Sequence, residues 1–275
     1  MRILNNTSTA ADEVSSTASR SVERDADFVQ SLQRGLSVLR VFDAEHARLT
    51  LSDVARLTGL TRATARRLLL TFERLGYMRT DSRHFELTPS VLDLGYAYLS
   101  SVQLPQVAQP FMESLSEQVH ESVSASVLDG FEIVYVARVP TKRIMAISLS
   151  LGSRLPAAST SMGRVLLAGL CDEELDHFLA TAPLVARTHR TIVDPDRLRG
   201  VIEEVRRQGW ALVDEELEDG VRSVAAPVRD RAGRTVAAIN VSTHAGRVGL
   251  RELRSDFLPA LLDAAAGVSA ALAKR

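Results

Sequence analysis

The chain has one cysteine, Cys171, among its 275 residues. No disulfide can close within it and zinc sites of the CxxC type are excluded, so a reducing compartment is the simplest expectation. Lysine is scarce: only Lys142 and Lys274 occur, and every other basic side chain is arginine. The choice of arginine at any one position therefore says little about guanidinium geometry. Long apolar runs are lacking, because Asp263 interrupts the longest candidate near the C-terminus. The opening MRILNNTSTA holds no apolar core of a secretory leader. A cytoplasmic protein that does not cross a membrane is expected. The histidines show no HExxH spacing, and neither a GxSxG elbow nor a phosphate-binding glycine loop appears. The acidic run Asp214-Glu215-Glu216-Leu217-Glu218-Asp219 has no histidine close in sequence and reads as a solvated strand end. No catalytic residue, metal or cofactor is expected; the enzyme alternative is a hydrolase using Ser161.

What is present is an ordinary core composition, with 45% hydrophobic and 24% charged residues, and a net charge of -1. A length of 275 residues suits two domains, and any affinity for a polyanion must be local. Residues 1–27 are rich in serine and threonine and read as a flexible tail. From Phe28 the pattern changes. Leu32, Leu36, Leu39 and Phe42 recur at helical spacing. The segment Leu49–Leu57 follows, in which Thr50 with Asp53 resembles a capping box for a short helix with one apolar face, which Gly59 can close. Thr61 is a good N-cap for a further helix, whose core stripe is Ala65, Leu68, Leu69, Phe72 and Leu75. Gly76 ends it. Short strands follow at Tyr77–Arg79 and Phe85–Leu87 around a polar turn. The order helix, helix, tight turn, helix, hairpin outlines a winged helix-turn-helix over residues 28–89.

This region also concentrates charge. Between His46 and His84, eight arginines face three acidic residues, a local balance of +5 in a nearly neutral chain. That is the footprint of a face for double-stranded DNA. The leading half of a recognition helix enters the major groove, and here it holds Thr61, Arg62, Thr64, Arg66 and Arg67. Arg56 is a further candidate, and Arg83 sits where a wing could reach phosphate. On an isolated helix the same arginines would read as a solvated face.

A linker helix is expected over residues 90–104, with Pro105 interrupting it. Beyond it, Pro110–His120 reads as a helix, and Ser122–Leu128 and Ile133–Val139 as a hairpin around Asp129-Gly130. Arg143–Leu151 reads as another strand. Helices are expected at Ser161–Leu170, Glu173–Ala180 and Arg197–Gln208, strands at Trp210–Glu215, Arg222–Arg229 and Thr235–His244, and a long helix at Leu250–Ala273. Residues 105–275 thus read as an antiparallel α+β sensor domain.

The stretches SLQRGLSVLRVF, LTLSDVARLTGLTRATARRLLLTFERLGYM and FELTPSVLDLGYAYLSS resemble the DNA-binding half of IclR-family transcriptional regulators. SVLDGFEIVYVARVP, LPAASTSMGRVLLAGL and GWALVDEELEDGVRSVAAPVRDRAGRTVAAINVSTHAGR resemble their effector-binding half, and the likeness is strongest to the PcaR/PcaU/PobR branch. The resemblance implies a winged helix-turn-helix joined to a GAF-like domain, in homodimers or dimers of dimers. It implies control of protocatechuate and 4-hydroxybenzoate catabolism, through the β-ketoadipate pathway, by a small carboxylate. It places the effector against Ser159, Thr160, Ser161, Met162 and Gly163 and against Ser223, Asn240 and Ser242, with an acidic position near Asp214. Ser223 and Asn240 differ from the founding member's cysteine and serine, which points to a different ligand. Thr160 or Ser161 could cap a helix whose first N–H groups meet a carboxylate. Arg138, Arg143, Arg154, Arg164 and Arg222 are the candidate counter-charges. Without the resemblance, Ser223, Asn240 and Ser242 would read as solvent-facing. A ligand-binding module that no longer binds DNA is the remaining alternative.

Overall fold

The computed structural model describes residues 28–43, 45–95, 103–141 and 149–274. The chain separates into two compact units between Gly95 and Tyr96. The tail expected over 1–27 lies outside the described residues.

In the N-terminal unit, helices α1 (Gln30–Arg40), α2 (Leu51–Thr58) and α3 (Arg62–Arg74) pack with strands β1 (Leu49–Thr50), β2 (Met78–Thr80) and β3 (His84–Leu87). The strands form an antiparallel sheet in the order β1-β3-β2. β1 was not legible as a strand, since two residues carry no periodicity; its pairing with His84 and Phe85 creates it. The capping box at α2 is real, with aspartate in place of glutamate. The Asp53 N–H donates to Thr50 Oγ1 at 3.3 Å, and the Thr50 N–H donates to Asp53 Oδ2 at 3.1 Å. Gly59 then closes α2 at φ +68°, a left-handed conformation that costs glycine little.

Val38, Val54, Ala55, Ala65, Leu69, Met78 and Phe85 form the core of this unit. Gly35 is buried where α1 faces Leu68 and Phe72 of α3, at a distance where a Cβ would make ordinary contact. One expected core position is corrected. Leu75 is 62% exposed, having rotated past the buried stripe at the helix end. Leu32 and Leu36 are 61% and 43% exposed, because α1 buries the face carrying Gly35 and Val38.

Pro89–Val91 forms a 3-10 turn that continues helically to Gly95. The rest of the expected linker helix, residues 96–102, lies outside the described residues. Pro105 does not break a helix. It sits in the first turn of α4 (Leu104–Val119), where its missing N–H is not needed. Pro110 accordingly lies inside that helix rather than at its start.

The C-terminal unit is built on a six-stranded antiparallel sheet in the order β6-β5-β4-β9-β8-β7. Its strands are β4 (Ser122–Asp129), β5 (Glu132–Val139), β6 (Arg154–Pro156), β7 (Ala211–Asp214), β8 (Val221–Arg229) and β9 (Thr235–His244). β6 was not expected. The strand expected at Arg143–Leu151 falls largely outside the described residues, and its described part, 149–151, is not strand. Helix α4 and α8 (Leu250–Ala273, with a π-turn at Leu253–Phe257) cover one face. Helices α5 (Ser161–Ala168), α6 (Asp172–Thr181) and α7 (Pro195–Gln208) cover the other. Alternation divides the strands accordingly: Val224, Ala226 and Val228 join the α4/α8 core, and Ala225 joins the α5–α7 core. Helix α8 is apolar because it is a core helix, with Leu253, Phe257, Leu261 and Val268 buried.

Leu69→Ala is expected to cost the N-terminal unit about 2–5 kcal/mol, the range for truncating a buried leucine. Leu75→Ala should stay within about 0.5 kcal/mol. Denaturant unfolding of the two variants checks this, and equal losses would contradict the assignment.

Candidate ligand cavity and nucleic-acid interface

Strand register assembles a polar floor on the sheet face under α5. Side chains two apart share a face, and the ladders pair Ser122 with Ser242, Ser124 with Asn240, and Ser223 with Ser242. All five of these residues line one cavity, together with Tyr135 and Arg138 from β5. Ser159, Thr160 and Met162 line it from the start of α5, and Val213 and Leu217 from β7 and the loop after it. The solvent-facing alternative for Ser223, Asn240 and Ser242 is thereby excluded for this unit: they face the interior between sheet and helix. Ser122, Ser124 and Tyr135 were missed. The alternation Ser122-Val-Ser124-Ala-Ser126 was the available signal, since a strand buried on both faces has no solvated side for serines.

The loop and helix start are fixed by local bonds. Thr160, rather than Ser161, caps α5, accepting from the Gly163 N–H at 3.1 Å. Its own hydroxyl donates to the Pro156 carbonyl at 3.1 Å. Ser161 Oγ donates to Ser223 Oγ at 2.8 Å, both buried, so it braces the helix against β8. Gly163 does not line the cavity. A Cβ on it would fall 2.1 Å from the Ala157 carbonyl oxygen, so only glycine permits this approach of loop to helix. Among the described residues, Ser159 Oγ and Asn240 Oδ1 are buried without a hydrogen-bond partner. Such groups cost about 1–3 kcal/mol each when left unsatisfied, and both open onto this cavity. The cavity measures about 40 Å³, more than the ~10–15 Å³ that a single water needs, and the flexible Met162 is the most adaptable of its walls.

Electrostatics select among the candidate arginines. Of the four candidates that are described, Arg138 lines the cavity, and among the described residues it has no ion-pair partner. Arg154 is paired with Asp129 and Glu132, each at 2.7 Å. Arg164 is paired with Glu216. Arg222 is bonded to Asp214, and Arg143 lies outside the described residues. Burial pushes the Tyr135 phenol up to about 12, with Arg138 opposing the shift, so the hydroxyl stays protonated. The expectation for Asp214 is corrected. It faces away from the cavity, which its neighbour Val213 lines, and its carboxylate is held by Arg222 and by Arg190 at 2.5 Å.

In the N-terminal unit Thr61 caps α3, accepting from the Thr64 N–H at 3.2 Å, and the two hydroxyls lie 2.9 Å apart. Arg62 reaches back to Ser52 Oγ at 2.9 Å, tying α3 to α2. Arg66 and Arg67 are exposed and, among the described residues, carry no ion pair. Arg56 lies 3.7 Å from Asp53. Arg48, just before β1, is bonded to Asp81 at 2.5 Å, and in the hairpin Arg79 is bonded to Glu86 at 2.6 Å. Arg83 stays exposed at the turn, beside Ser82 at φ +78°. The backbone N–H groups of His84 and Arg83 pull the Asp81 carboxyl down to about 2.

A three-helix unit with a small antiparallel wing and an exposed basic helix, followed in the same chain by a sheet-and-helix unit enclosing a polar cavity, defines a ligand-sensing helix-turn-helix regulator. Residues 31–82 match the IclR helix-turn-helix domain, and residues 96–270 match the C-terminal domain of the bacterial transcriptional regulator IclR. The chain belongs to the IclR family of transcriptional regulators. It is 48% identical over 241 residues to the Pca regulon regulatory protein of Pseudomonas putida, covering 87% of this chain and 83% of that protein. A solved transcriptional regulator from Rhodococcus sp. RHA1 is 56% identical, with a TM-score of 0.79 over 89% of this chain and 98% of that one. An IclR homologue from Microbacterium hydrocarbonoxydans, complexed with 4-hydroxybenzoate, is 25% identical, with a TM-score of 0.77 over 88% of this chain and 98% of that one. These relatives are transcriptional regulators by name, and the Ser161 hydroxyl is engaged with the Ser223 hydroxyl.

Two outcomes follow from the local chemistry. Gly163→Ala is expected to destabilise the C-terminal unit by at least the ~1–3 kcal/mol of an overpacked core; a melting temperature like that of the parent would contradict the packing. The lowered Asp81 pKa stabilises the turn above the ordinary value of 3.8, and that contribution is lost as pH falls toward about 2. The amide signals of Arg83 and His84 should therefore titrate near about 2 in an NMR series, and a midpoint at 3.8 would refute the bonding.

Proposed function

We propose that the chain is a ligand-responsive DNA-binding regulator of genes for aromatic-acid catabolism, of the protocatechuate and 4-hydroxybenzoate type. The observation that carries the effector half is the conjunction, in one cavity, of Arg138 with two orphaned buried polar atoms, Ser159 Oγ and Asn240 Oδ1. A carboxylate would take the guanidinium, and ring hydroxyls would take Asn240, Ser159 and the serines of the floor. Thr160, Met162, Ser223 and Ser242 complete the contact surface, and Ser161 and Gly163 shape it from behind. The names of the relatives in Pseudomonas and Microbacterium point the same way. A ligand that binds one form of the unit more tightly than another shifts the equilibrium between them.

DNA contact is assigned to residues 28–89. Arg66 and Arg67 are the leading groove-facing side chains, Thr61, Arg62 and Thr64 are held in the first turn, and Arg56 and Arg83 flank them. Residues 90–104 link this unit to the effector unit at 105–275. Exposed Phe28, Val29, Leu32 and Leu36 leave α1 with an uncovered apolar face, which suits a homodimer. A cytoplasmic location follows from the reading.

Arg66→Ala and Arg67→Ala are expected to weaken binding to DNA upstream of the chain's own gene, each reducing the salt slope by about 1 where the lost contact was a phosphate. Affinity indifferent to both substitutions and to salt would favour a module that does not bind DNA. Arg138→Met should weaken protocatechuate or 4-hydroxybenzoate binding by ~1.5–3 kcal/mol, the worth of a hydrogen bond to a charged group. Calorimetry reads this directly, and unchanged affinity would remove Arg138 from the site.

A further inference from the structure

The Arg164–Glu216 ion pair is buried in the C-terminal unit, and neither residue lines the cavity. Arg164 is 2% exposed and Glu216 8%. The guanidinium donates twice to the carboxylate, Nη1 to Oε1 at 2.7 Å and Nη2 to Oε2 at 2.6 Å. Its third arm, Nε, donates to the Ala158 carbonyl at 3.1 Å. Ala158 immediately precedes Ser159 and Thr160, and Glu216 immediately precedes Leu217, so the rigid guanidinium plane spans two separate walls of the cavity. A third loop joins them. Glu216 Oε2 also accepts from the Ile192 N–H at 3.2 Å, Thr191 Oγ1 donates to the Glu216 carbonyl at 2.6 Å, and Thr188 Oγ1 donates to the Glu215 carbonyl at 2.7 Å.

Stability alone does not call for this arrangement. A buried ion pair spends most of its attraction on desolvation, and a well-packed apolar pair of similar volume is often as stable or more so. What an apolar pair lacks is direction: the planar fork fixes both the distance and the angle between its acceptors, which neither a methylene chain nor a lysine ammonium can do.

We propose that Arg164 and Glu216 are positioning residues for the effector, setting the separation of the Ala158–Thr160 wall from the Glu216–Leu217 wall without touching the ligand. The pair thereby makes the two walls open and close as one. This rests on the cavity being the effector site.

The test uses the full chain with Arg164→Lys and the double variant Arg164→Met with Glu216→Leu, probed with protocatechuate and 4-hydroxybenzoate. The double variant should melt close to the parent yet bind whichever acid the parent binds at least about ten-fold more weakly. Hydrogen exchange should speed up in residues 157–163 and 214–221 together, with the strands of the sheet still protected. Recovery of both stability and affinity in the double variant would overturn the proposal, because a merely structural pair predicts that result. Should the double variant fail to fold, Arg164→Lys decides: it keeps the charge and loses the fork, so affinity should fall further than stability does, and parental affinity on a destabilised chain would overturn the proposal. Should the parent bind neither acid, the proposed effector class fails separately. Exchange then decides alone, coupled acceleration in the two segments supporting the positioning role and unchanged exchange refuting it.

Discussion

A sheet covered on both faces must satisfy every polar side chain it carries. That constraint organises the C-terminal unit. Between α4 and α8 on one side and α5, α6 and α7 on the other, the strands have no solvated face. Serines and an asparagine placed there must bond to one another or to something that enters. Ser161 and Ser223 bond to each other, and Asn240 Nδ2 donates to Ser242. Ser159 Oγ and Asn240 Oδ1 are left over. The cavity is therefore defined less by its size than by polar capacity in a place where water is scarce, with Arg138 supplying charge at its edge.

The N-terminal unit solves a different problem with the same economy. Its leucines and arginines share one helix, and 3.6-residue periodicity sends them to opposite sides. Ala65 and Leu69 are buried while Arg66 and Arg67 are exposed. Ion pairs then sort the remaining basic residues. Arg48 and Arg79 pair with Asp81 and Glu86, while Arg83 stays exposed at the turn. The local excess of positive charge is thus concentrated on α3 and the tip of the hairpin.

Much of this was legible because it is local. Thr50 with Asp53, Thr61 before an apolar stripe, Gly59 and Gly209 at helix ends, and Asp129-Gly130 between alternating runs each act within a few residues, and the corresponding caps and turns form. Errors arose where a partner distant in sequence decides. Leu75 continues the apolar stripe of α3 in sequence, yet it lies past the last turn of that helix and stays exposed. Two-residue β1 and three-residue β6 exist only through their ladders. Pro105 reads as a break and Pro110 as a helix start, and only the starting point of α4 shows the first to be a helix opening and the second to be tolerated within it.

The candidate site divides the same way. Thr160, Met162, Ser223, Asn240 and Ser242 were placed by resemblance, and the fold brings them to one cavity. Asp214 was placed there too, but a strand's two-residue alternation turns it toward Arg190 and Arg222. By itself the sequence determined the kinds of element, the segregation of positive charge into one short region, the absence of a disulfide within the chain, and the family. Those depend on periodicity, caps and composition, which act along the chain. Only the tertiary structure decided which of the candidate arginines faces the cavity, that Arg164 belongs to Glu216, and that Gly163 is required by a backbone oxygen. Each of those depends on groups far apart in sequence competing for the same few ångströms of buried space.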